Sequence, residues 1–259
     1  ALVVMAKAWG RQIIGVRKDC PLVVGVGDAE SFLASDVPAL LPFTKKVIFV
    51  DDNEIVILKE GRPPRIYSQS GSLIRREHQE IPWDPLMAEK GGFKHFMHKE
   101  IHEGPRSFED TLRTRAYEEN IPSLLKEINL TPAMANAIVQ VKFLACGTAH
   151  HAGMVGEYLF ENLAGLPARS EIASEFRYAS RNIEPSTLVV AISQSGETAD
   201  TIAAVRVAKS TKGVRAVGIV NQIGSTLTRD VNATLYTRCG PEIGVASTKA
   251  FLGQLASLY

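Results

Sequence analysis

The fold is predicted from one stretch of the chain, Leu188-Val189-Val190-Ala191-Ile192-Ser193-Gln194-Ser195-Gly196-Glu197-Thr198. Its first five residues are apolar and mostly branched at Cβ, which is typical of a strand buried on both faces of a parallel sheet. Residues 197–209 then follow with helical periodicity. The stretch therefore predicts a strand that enters a helix through a polar turn.

The polar turn has the chemistry of a site for an anion. The first N–H groups of a helix lack intrahelical partners and carry about half a positive charge. Ser193, Ser195 and Thr198 add hydroxyls, and Gln194 adds an amide. A Walker loop and a Gly-x-Gly-x-x-Gly fingerprint are both absent here, which favours a small phosphorylated ligand over a nucleotide. The alternative is a helix cap, in which Ser195 or Thr198 satisfies only its own helix.

Composition narrows the class of protein. The chain has 259 residues, 45% of them hydrophobic and 22% charged, which is enough for about two domains. A net charge of +1 provides no basic surplus for a nucleic acid or an anionic membrane. No apolar run approaches the ~20 residues of a membrane span, and no signal peptide is recognisable. Three widely spaced cysteines suggest neither disulfides nor a zinc site, so we predict a reducing, cytoplasmic location.

Residues 1–92 predict a β-rich region that contains one amphipathic helix. The helix is expected over residues 30–41, where apolar residues recur at helical spacing. Residues 51–53 predict a hairpin turn between two of the strands. Cys20 precedes a strand and is expected to be a small buried side chain. The predicted strands lie at residues 1–7, 12–17, 22–26, 47–50, 54–58 and 65–67.

A polar segment rich in proline and glycine, residues 68–104, is predicted to connect two domains. His95, His98 and His102 fall on one helical face close to its end. The spacing resembles that of a zinc-protease helix, but Glu100 stands one position too late for that motif. We therefore predict an interdomain contact face here, and no metal.

From residue 106 onward, predicted strands alternate with predicted helices. This alternation indicates an α/β fold, a parallel sheet with helices on both faces, which binds ligands beyond the carboxyl ends of its strands. Three strand exits are then expected to converge, at residues 146–149, 193–198 and 245–247. The helices are predicted at residues 108–119, 122–128, 152–163, 197–209 and from 244 onward. The strands are predicted at residues 141–145, 168–172, 188–192, 214–220 and 233–236.

Several stretches resemble one family. Residues 193–200 (SQSGETAD) resemble the signature of the sugar isomerase (SIS) domain. Residues 144–149, 171–178 and 242–251 resemble the first SIS half of the isomerising glutamine:fructose-6-phosphate aminotransferases, the glucosamine-6-phosphate synthases. Residues 21–51 resemble the end of the glutaminase domain of that family. The chain thus resembles a fragment of such an enzyme.

The resemblance implies a domain organisation. Residues 1–92 would be the C-terminal part of a glutaminase domain, an N-terminal-nucleophile α+β fold of stacked sheets. Residues 93–105 would be the interdomain linker, and residues 106–259 most of the first SIS domain. The family's nucleophile is an N-terminal Cys whose own amine is the base, a position that Cys20 does not occupy. The resemblance therefore implies no catalytic residue in this chain and glutamine binding only in a longer protein.

The resemblance also implies site residues. The family makes glucosamine 6-phosphate and glutamate from fructose 6-phosphate and glutamine, without a cofactor, as a homodimer or larger homo-oligomer. Val245, through its carbonyl, and Ser247, through its hydroxyl, would face the sugar body. Ala149 replaces a Ser that is frequent in the family, so only a backbone contact would remain there. The 6-phosphate would be held by Thr148, Ala149, Ser193, Gln194, Ser195 and Thr198.

Two alternatives come from other classes of protein. One is a SIS module that senses a sugar phosphate for a partner, and the other is a phosphosugar aldose-ketose isomerase without amidotransfer. The strands predicted in residues 1–92 disfavour the helix-turn-helix of such sensors, and their likeness to a glutaminase disfavours a simple isomerase. Cys146 is predicted to pack at a strand end, and His150 to begin a helix. Two interpretations of Lys249 remain open: it places a charge near the site, or its side chain faces solvent.

Overall fold

Two units make up the chain in the computed structural model, Ala1–Gly91 and Gly92–Tyr259. Among the described residues, no helix is both long and apolar enough to cross a bilayer. That the first unit is part of a glutaminase domain and the second a SIS domain stays a prediction from the sequence. The structure describes residues 1–18, 20–83, 89–113, 115, 118–179 and 183–259.

Two antiparallel sheets form the first unit. One has the strand order β1-β2-β6-β7-β8 and the other β4-β3-β5-β9, where the strands are β1 (Leu2–Val4), β2 (Gln12–Val16), β3 (Val23–Val26), β4 (Ser31–Ala34), β5 (Lys46–Phe49), β6 (Ile55–Lys59), β7 (Arg65–Tyr67), β8 (Leu73–Ile74) and β9 (Gln79–Glu80). A short 3-10 helix spans Lys7–Trp9. Val24 and Ile48 from one sheet pack with Val56 and Ile66 from the other, so a common core joins the two sheets.

The helix predicted over residues 30–41 is wrong, because β4 occupies its first part. β4 pairs antiparallel with β3, and the Gly27 amide donates to the Glu30 carbonyl in the hairpin between them. Phe32 packs on one face of this sheet and Leu33 on the other. Both faces of this sheet are covered by apolar residues. Successive side chains of a strand point to opposite faces, so β4 buries both Phe32 and Leu33, which the sequence also allows on one apolar stripe of a helix.

Two further expectations for this unit are wrong. Residues 51–53 do not form a hairpin between neighbouring strands, since β5 and β6 belong to different sheets and the turn carries the chain from one to the other. Asn53 adopts a positive φ of 66° in that turn. Cys20 is exposed rather than buried. It precedes β3, which begins only at Val23.

The second unit contains the predicted α/β fold, a five-stranded parallel sheet. Its strand order is β11-β10-β12-β13-β14, with β10 (Gln140–Ala145), β11 (Ala168–Ile172), β12 (Thr187–Ser193), β13 (Arg215–Val220) and β14 (Ala233–Tyr236). Successive residues of β12 join apolar clusters on opposite faces, with Leu188 and Val190 on one and Val189 and Ala191 on the other. This confirms a strand buried on both faces.

Helices cover both faces of this sheet. The helices in the described part of this unit are α1 (Phe96–His102), α2 (Gly104–Leu112), α3 (Ile121–Glu127), α4 (Pro132–Asn136), α5 (Gly147–Leu163), α6 (Ala173–Phe176), α7 (Ala199–Lys209), α8 (Thr226–Asp230) and α9 (Lys249–Leu258). Residues of α5 and α9 pack in one apolar cluster, and residues of α6, α7 and α8 pack in the other. A 3-10 helix spans Glu118–Asn120.

The predicted boundaries of three helices differ from the structure by several residues. α5 begins at Gly147 rather than near residue 152, and α9 begins at Lys249 rather than near residue 244. α2 ends at Leu112, while part of the helix predicted over residues 108–119 falls on residues 114, 116 and 117, outside the described residues. The predicted linker, residues 93–105, contains α1 and the start of α2 and lies in the second unit.

Candidate phosphosugar site

The strand order of the parallel sheet reverses between β10 and β12. The chain passes from β10 to β11 on one side and then to β12 on the other. The carboxyl ends of such neighbouring strands, at the point where the order reverses, are where open parallel sheets bind ligands. The exit of β10 leads into α5 and the exit of β12 leads towards α7. Two helix N-termini thus lie at the same edge of the sheet.

Six predicted site residues lie at these two strand exits. Thr148 is exposed in the first turn of α5, and Ala149 beside it is buried. The other four, Ser193, Gln194, Ser195 and Thr198, lie in the turn between β12 and α7. Neither N-cap residue, Cys146 of α5 or Thr198 of α7, caps its helix through its side chain.

Hydrogen bonds close the turn between β12 and α7 on itself. The Ser193 Oγ accepts from the Gly196 amide at 3.0 Å and lies 3.0 Å from the Thr198 Oγ1. The Ser195 Oγ accepts from the Glu197 amide at 3.2 Å, ahead of the first helical residue. The Thr198 hydroxyl is directed into the turn and does not cap α7. The helix-cap interpretation is therefore wrong for Thr198.

Gly196 brings this turn against the start of α8. It adopts a φ of +64°, and a Cβ placed on it would lie 2.0 Å from the Ser225 Oγ. The Glu197 carboxylate accepts from the Thr226 amide at 2.8 Å and from the Thr226 hydroxyl at 2.7 Å. A carboxylate is stabilised at the N-terminus of a helix, because that end of the helix dipole is positive. The negative charge of Glu197 is thus held by α8.

The other two predicted site residues lie on the loop before α9. Val245 is fully exposed, and the Ser247 hydroxyl donates to the Glu242 carboxylate at 2.9 Å. The other oxygen of Glu242 accepts from the amides of Thr248 and Ala250 at 2.8 and 3.2 Å. This loop follows β14, which lies two strands from β12 in the sheet. The loop is thus fixed at its base, while Val245 stays open to solvent.

Lys249 is neither solvent-facing nor directed at the turn. Its side chain is 2% exposed, and its Nζ donates to the Glu103 carboxylate at 2.6 Å. A buried charge requires such a partner, because an unpaired ammonium in the interior is costly. Lys249 therefore connects the start of α9 to the junction of α1 and α2.

Histidine and cysteine side chains elsewhere in this unit have structural contacts. The His150 Nδ1 lies 3.1 Å from the Ser170 Oγ, and burial, together with the neighbouring His151, lowers the pKa of His150. Cys146 packs against an apolar cluster. The Nε2 atoms of His98 and His102 lie 3.2 Å apart. No group of three His, Cys, Asp or Glu side chains suited to a metal occurs in the described part of the chain.

Glu100 and Glu242 hold the loop of Val245 and Ser247, and sequence reasoning missed both. Glu242 lies within a stretch that resembles the family, but the motif does not say what its carboxylate binds. Glu100 drew attention only as an imperfect part of a histidine motif. Its partners, Ile243 and Gly244, are 143 and 144 residues away in the chain. No local spacing signals such a contact.

Known proteins are similar to this chain in sequence and in architecture. A family model of the SIS domain matches residues 134–259. The chain is 46% identical over 259 residues to the isomerizing glutamine--fructose-6-phosphate aminotransferase of Caldanaerobacter subterraneus, covering 100% of this chain and 42% of that protein. The chain is a homologue of the isomerising glutamine–fructose-6-phosphate aminotransferases. The resemblance in the motifs is thereby confirmed.

Further relatives show the same similarity. The aminotransferase of the same name from Thermus thermophilus is 47% identical over 257 residues, which are 99% of this chain and 41% of that protein. The C-terminal domain of glucosamine-fructose-6-phosphate aminotransferase from Francisella tularensis aligns with a TM-score of 0.59 and 36% identity, over 66% of this chain and 47% of that one. The chain spans about two fifths of the length of the curated relatives it matches.

Proposed function

We propose that this chain is the phosphosugar-binding part of an enzyme that makes glucosamine 6-phosphate and glutamate from fructose 6-phosphate and glutamine. The observation that carries the proposal is the hydroxyl-lined turn of residues 193–198, which stands beside the start of α5 at the switch point of the sheet. The names of the homologues support the same reaction. The proposal concerns the whole enzyme, to which this chain contributes a binding site.

In the proposal, the 6-phosphate is bound between the two helix N-termini. Ser193 and Thr198 share a hydrogen bond that uses the proton of one of them, so the phosphate accepts from Ser195 and from the other of these two hydroxyls. The Gln194 side chain adds an amide, and Thr148 contributes from α5. Ala149 contributes only backbone. A dianionic group at this edge gains from the dipoles of α5 and α7, which have 17 and 11 residues. Glu197 does not oppose it if the carboxylate stays bound to Thr226.

The sugar body is proposed to contact the loop of Val245 and Ser247. Ser247 donates its only hydroxyl proton to Glu242. A serine oxygen has one donor and two acceptor positions. Towards a ligand, Ser247 is therefore an acceptor, and it suits a sugar hydroxyl that donates. The carbonyl of Val245 is an acceptor as well, so this side of the site favours a polyhydroxylated ligand.

The remaining assignments are proposed from the family. Residues 1–92 would be part of the glutaminase domain, residues 93–105 the linker and residues 106–259 the first SIS domain. The Cys20 amide is in a peptide bond and donates to the Lys18 carbonyl at 2.8 Å, so Cys20 lacks the free amine of the family's nucleophile. We assign no catalytic residue to this chain, and glutamine binding to the longer enzyme. A cytoplasmic homo-oligomer without cofactor completes the proposal.

Amide chemical shifts of the labelled chain test where the sugar phosphate binds. Fructose 6-phosphate should shift the amides of Thr148, Gly196 and Thr198 and, through the sugar, those of Val245 and Ser247. Inorganic phosphate should shift only the first three. Saturable shifts confined to other parts of the second unit, or none with fructose 6-phosphate up to ~10 mM, a concentration well above usual substrate levels, would contradict the proposed site.

A further inference from the structure

We propose that Glu100, on α1, is a positioning residue for the loop 242–248, which carries Val245 and Ser247. The inference rests on the proposed function, because it concerns the part of the site that faces the sugar body. Glu100 lies in the segment that the sequence predicts to be a linker. In the structure this segment holds a loop of the candidate site.

The Glu100 carboxylate binds two consecutive backbone amides of the loop. One oxygen accepts from the Ile243 and Gly244 amides at 2.6 and 3.0 Å, and the other lies 3.1 Å from the Gly244 amide. Glu100 is 2% exposed. A hydrogen bond from an amide to a buried carboxylate is stronger than one between neutral groups. The carboxylate thus fixes the orientation of two adjacent peptide planes.

Gly244 allows α1 to come this close. A Cβ at residue 244 would lie 2.5 Å from the Glu100 Oε2 and 3.4 Å from the Met97 Cα. A side chain of any size would therefore push the loop away from the helix. The glycine and the carboxylate form one contact, in which the loop backbone lies directly against α1.

A second contact between the same elements anchors the far end of the loop. Glu103, at the end of α1, pairs with Lys249 at 2.6 Å, the first residue of α9. The segment of Val245 to Ser247 lies between these two anchors. Its backbone direction is therefore set by α1 together with Glu242, while the turn of residues 193–198 at the exit of β12 is held by its own hydrogen bonds. Loss of Glu100 should affect the sugar body and leave the phosphate group bound.

Binding of two ligands separates this role from general stability. We would titrate the 259-residue chain and its Glu100→Gln variant with fructose 6-phosphate and with inorganic phosphate, using Glu109→Gln as the control, since Glu109 is exposed on α2. Glu100→Gln should raise the Kd for fructose 6-phosphate by about fivefold or more, the effect of one net hydrogen bond, and leave the Kd for phosphate unchanged. Glu109→Gln should change neither.

Gly244→Ala provides a second variant for the same contact and should show the same selective loss. In the unsubstituted chain, the amides of Ile243 and Gly244 should exchange slowly with solvent deuterium, and fast exchange would overturn the proposal without any variant. An unchanged Kd for fructose 6-phosphate in a folded Glu100→Gln chain, or an equal loss for both ligands, would also overturn it. Failure of the unsubstituted chain to bind fructose 6-phosphate would instead contradict the proposed function.

Discussion

The Oγ of Ser193 lies 3.0 Å from the Oγ1 of Thr198, across the turn that joins β12 to α7. Ser193 ends the strand and is 3% exposed, and Thr198 is the N-cap of the helix. The Gly196 amide donates to the same Ser193 oxygen. The protein's own hydrogen bonds therefore set the shape of the turn, and a ligand that fits this shape does not have to order it.

Ser193→Ala should destabilise the fold through this turn. The substitution removes the acceptor of the Gly196 amide and the partner of Thr198, in a buried position. A buried polar group that loses its partner costs about 1 to 3 kcal/mol of unfolding free energy, measurable by urea titration. Ser210→Ala, at the exposed end of α7, removes an exposed hydroxyl that donates to the Val207 carbonyl and is the matched control. Equal effects of the two substitutions would contradict the account.

Gly196→Ala should be more damaging than an alanine at another glycine of the same backbone conformation. Gly196 and Gly165 both have positive φ, 64° and 62°. An alanine at Gly165 meets nothing within 4 Å, whereas at Gly196 its Cβ would overlap the Ser225 Oγ. Left-handed backbone alone costs about 1–2 kcal/mol, and overpacking adds about 1–3 kcal/mol. Urea unfolding should show both terms for Gly196→Ala and only the first for Gly165→Ala.

Ser247 should recognise a sugar hydroxyl that donates a proton. Its own proton is donated to Glu242, so a fluorine in place of the matching hydroxyl leaves two acceptors facing each other. Among fructose 6-phosphate analogues that carry fluorine at single positions, one should bind about tenfold more weakly or worse, since an unmade hydrogen bond costs about 1–3 kcal/mol. In Ser247→Ala this analogue should lose its disadvantage. A penalty that persists in the variant would contradict the assignment.

Alkylation should distinguish the cysteines of the chain. Cys20 is exposed. Cys239 is 4% exposed, and burial raises the pKa of its thiol. The thiolate is the reactive form, so a raised pKa and burial both slow the reaction. At pH 8, iodoacetamide should label Cys20 within minutes and Cys239 only when urea unfolds the chain, as judged by peptide mass spectrometry. Labelling of Cys239 at the rate of Cys20 in the folded chain would contradict the structure.

The sequence predicts the second unit better than the first, for a physical reason. β12 has apolar residues on both faces and ends at a polar turn, so its burial and its exit are both visible in the pattern. β4 also has apolar residues on both faces. In the short segment that begins with β4, however, the apolar residues at 32, 33, 37, 40 and 41 fit a helical stripe equally well. Pairing with β3, which is a tertiary contact, decides in favour of the strand.

The sequence does not indicate where some of the helices begin or which distant residues contact each other. α5 begins at Gly147 with a φ of +60° after Cys146, and neither residue type signals a helix start. The candidate site could be predicted where it lies on one stretch, as with residues 193–198. The hydrogen bond from the Ile243 amide to the Glu100 carboxylate joins residues 143 positions apart, and only the fold brings them together.

The central claim is that the turn of residues 193–198 binds the phosphate of a sugar. The most direct test is calorimetric titration of the chain, and of its Ser195→Ala, Thr198→Ala double variant, with fructose 6-phosphate and with fructose. Hydrogen bonds to a charged group contribute about 1.5–3 kcal/mol each, so the double variant should lose tenfold or considerably more in affinity. The account predicts that only the phosphorylated sugar binds and that the variant loses it. Equal binding of fructose, or unchanged affinity in the folded variant, would contradict it.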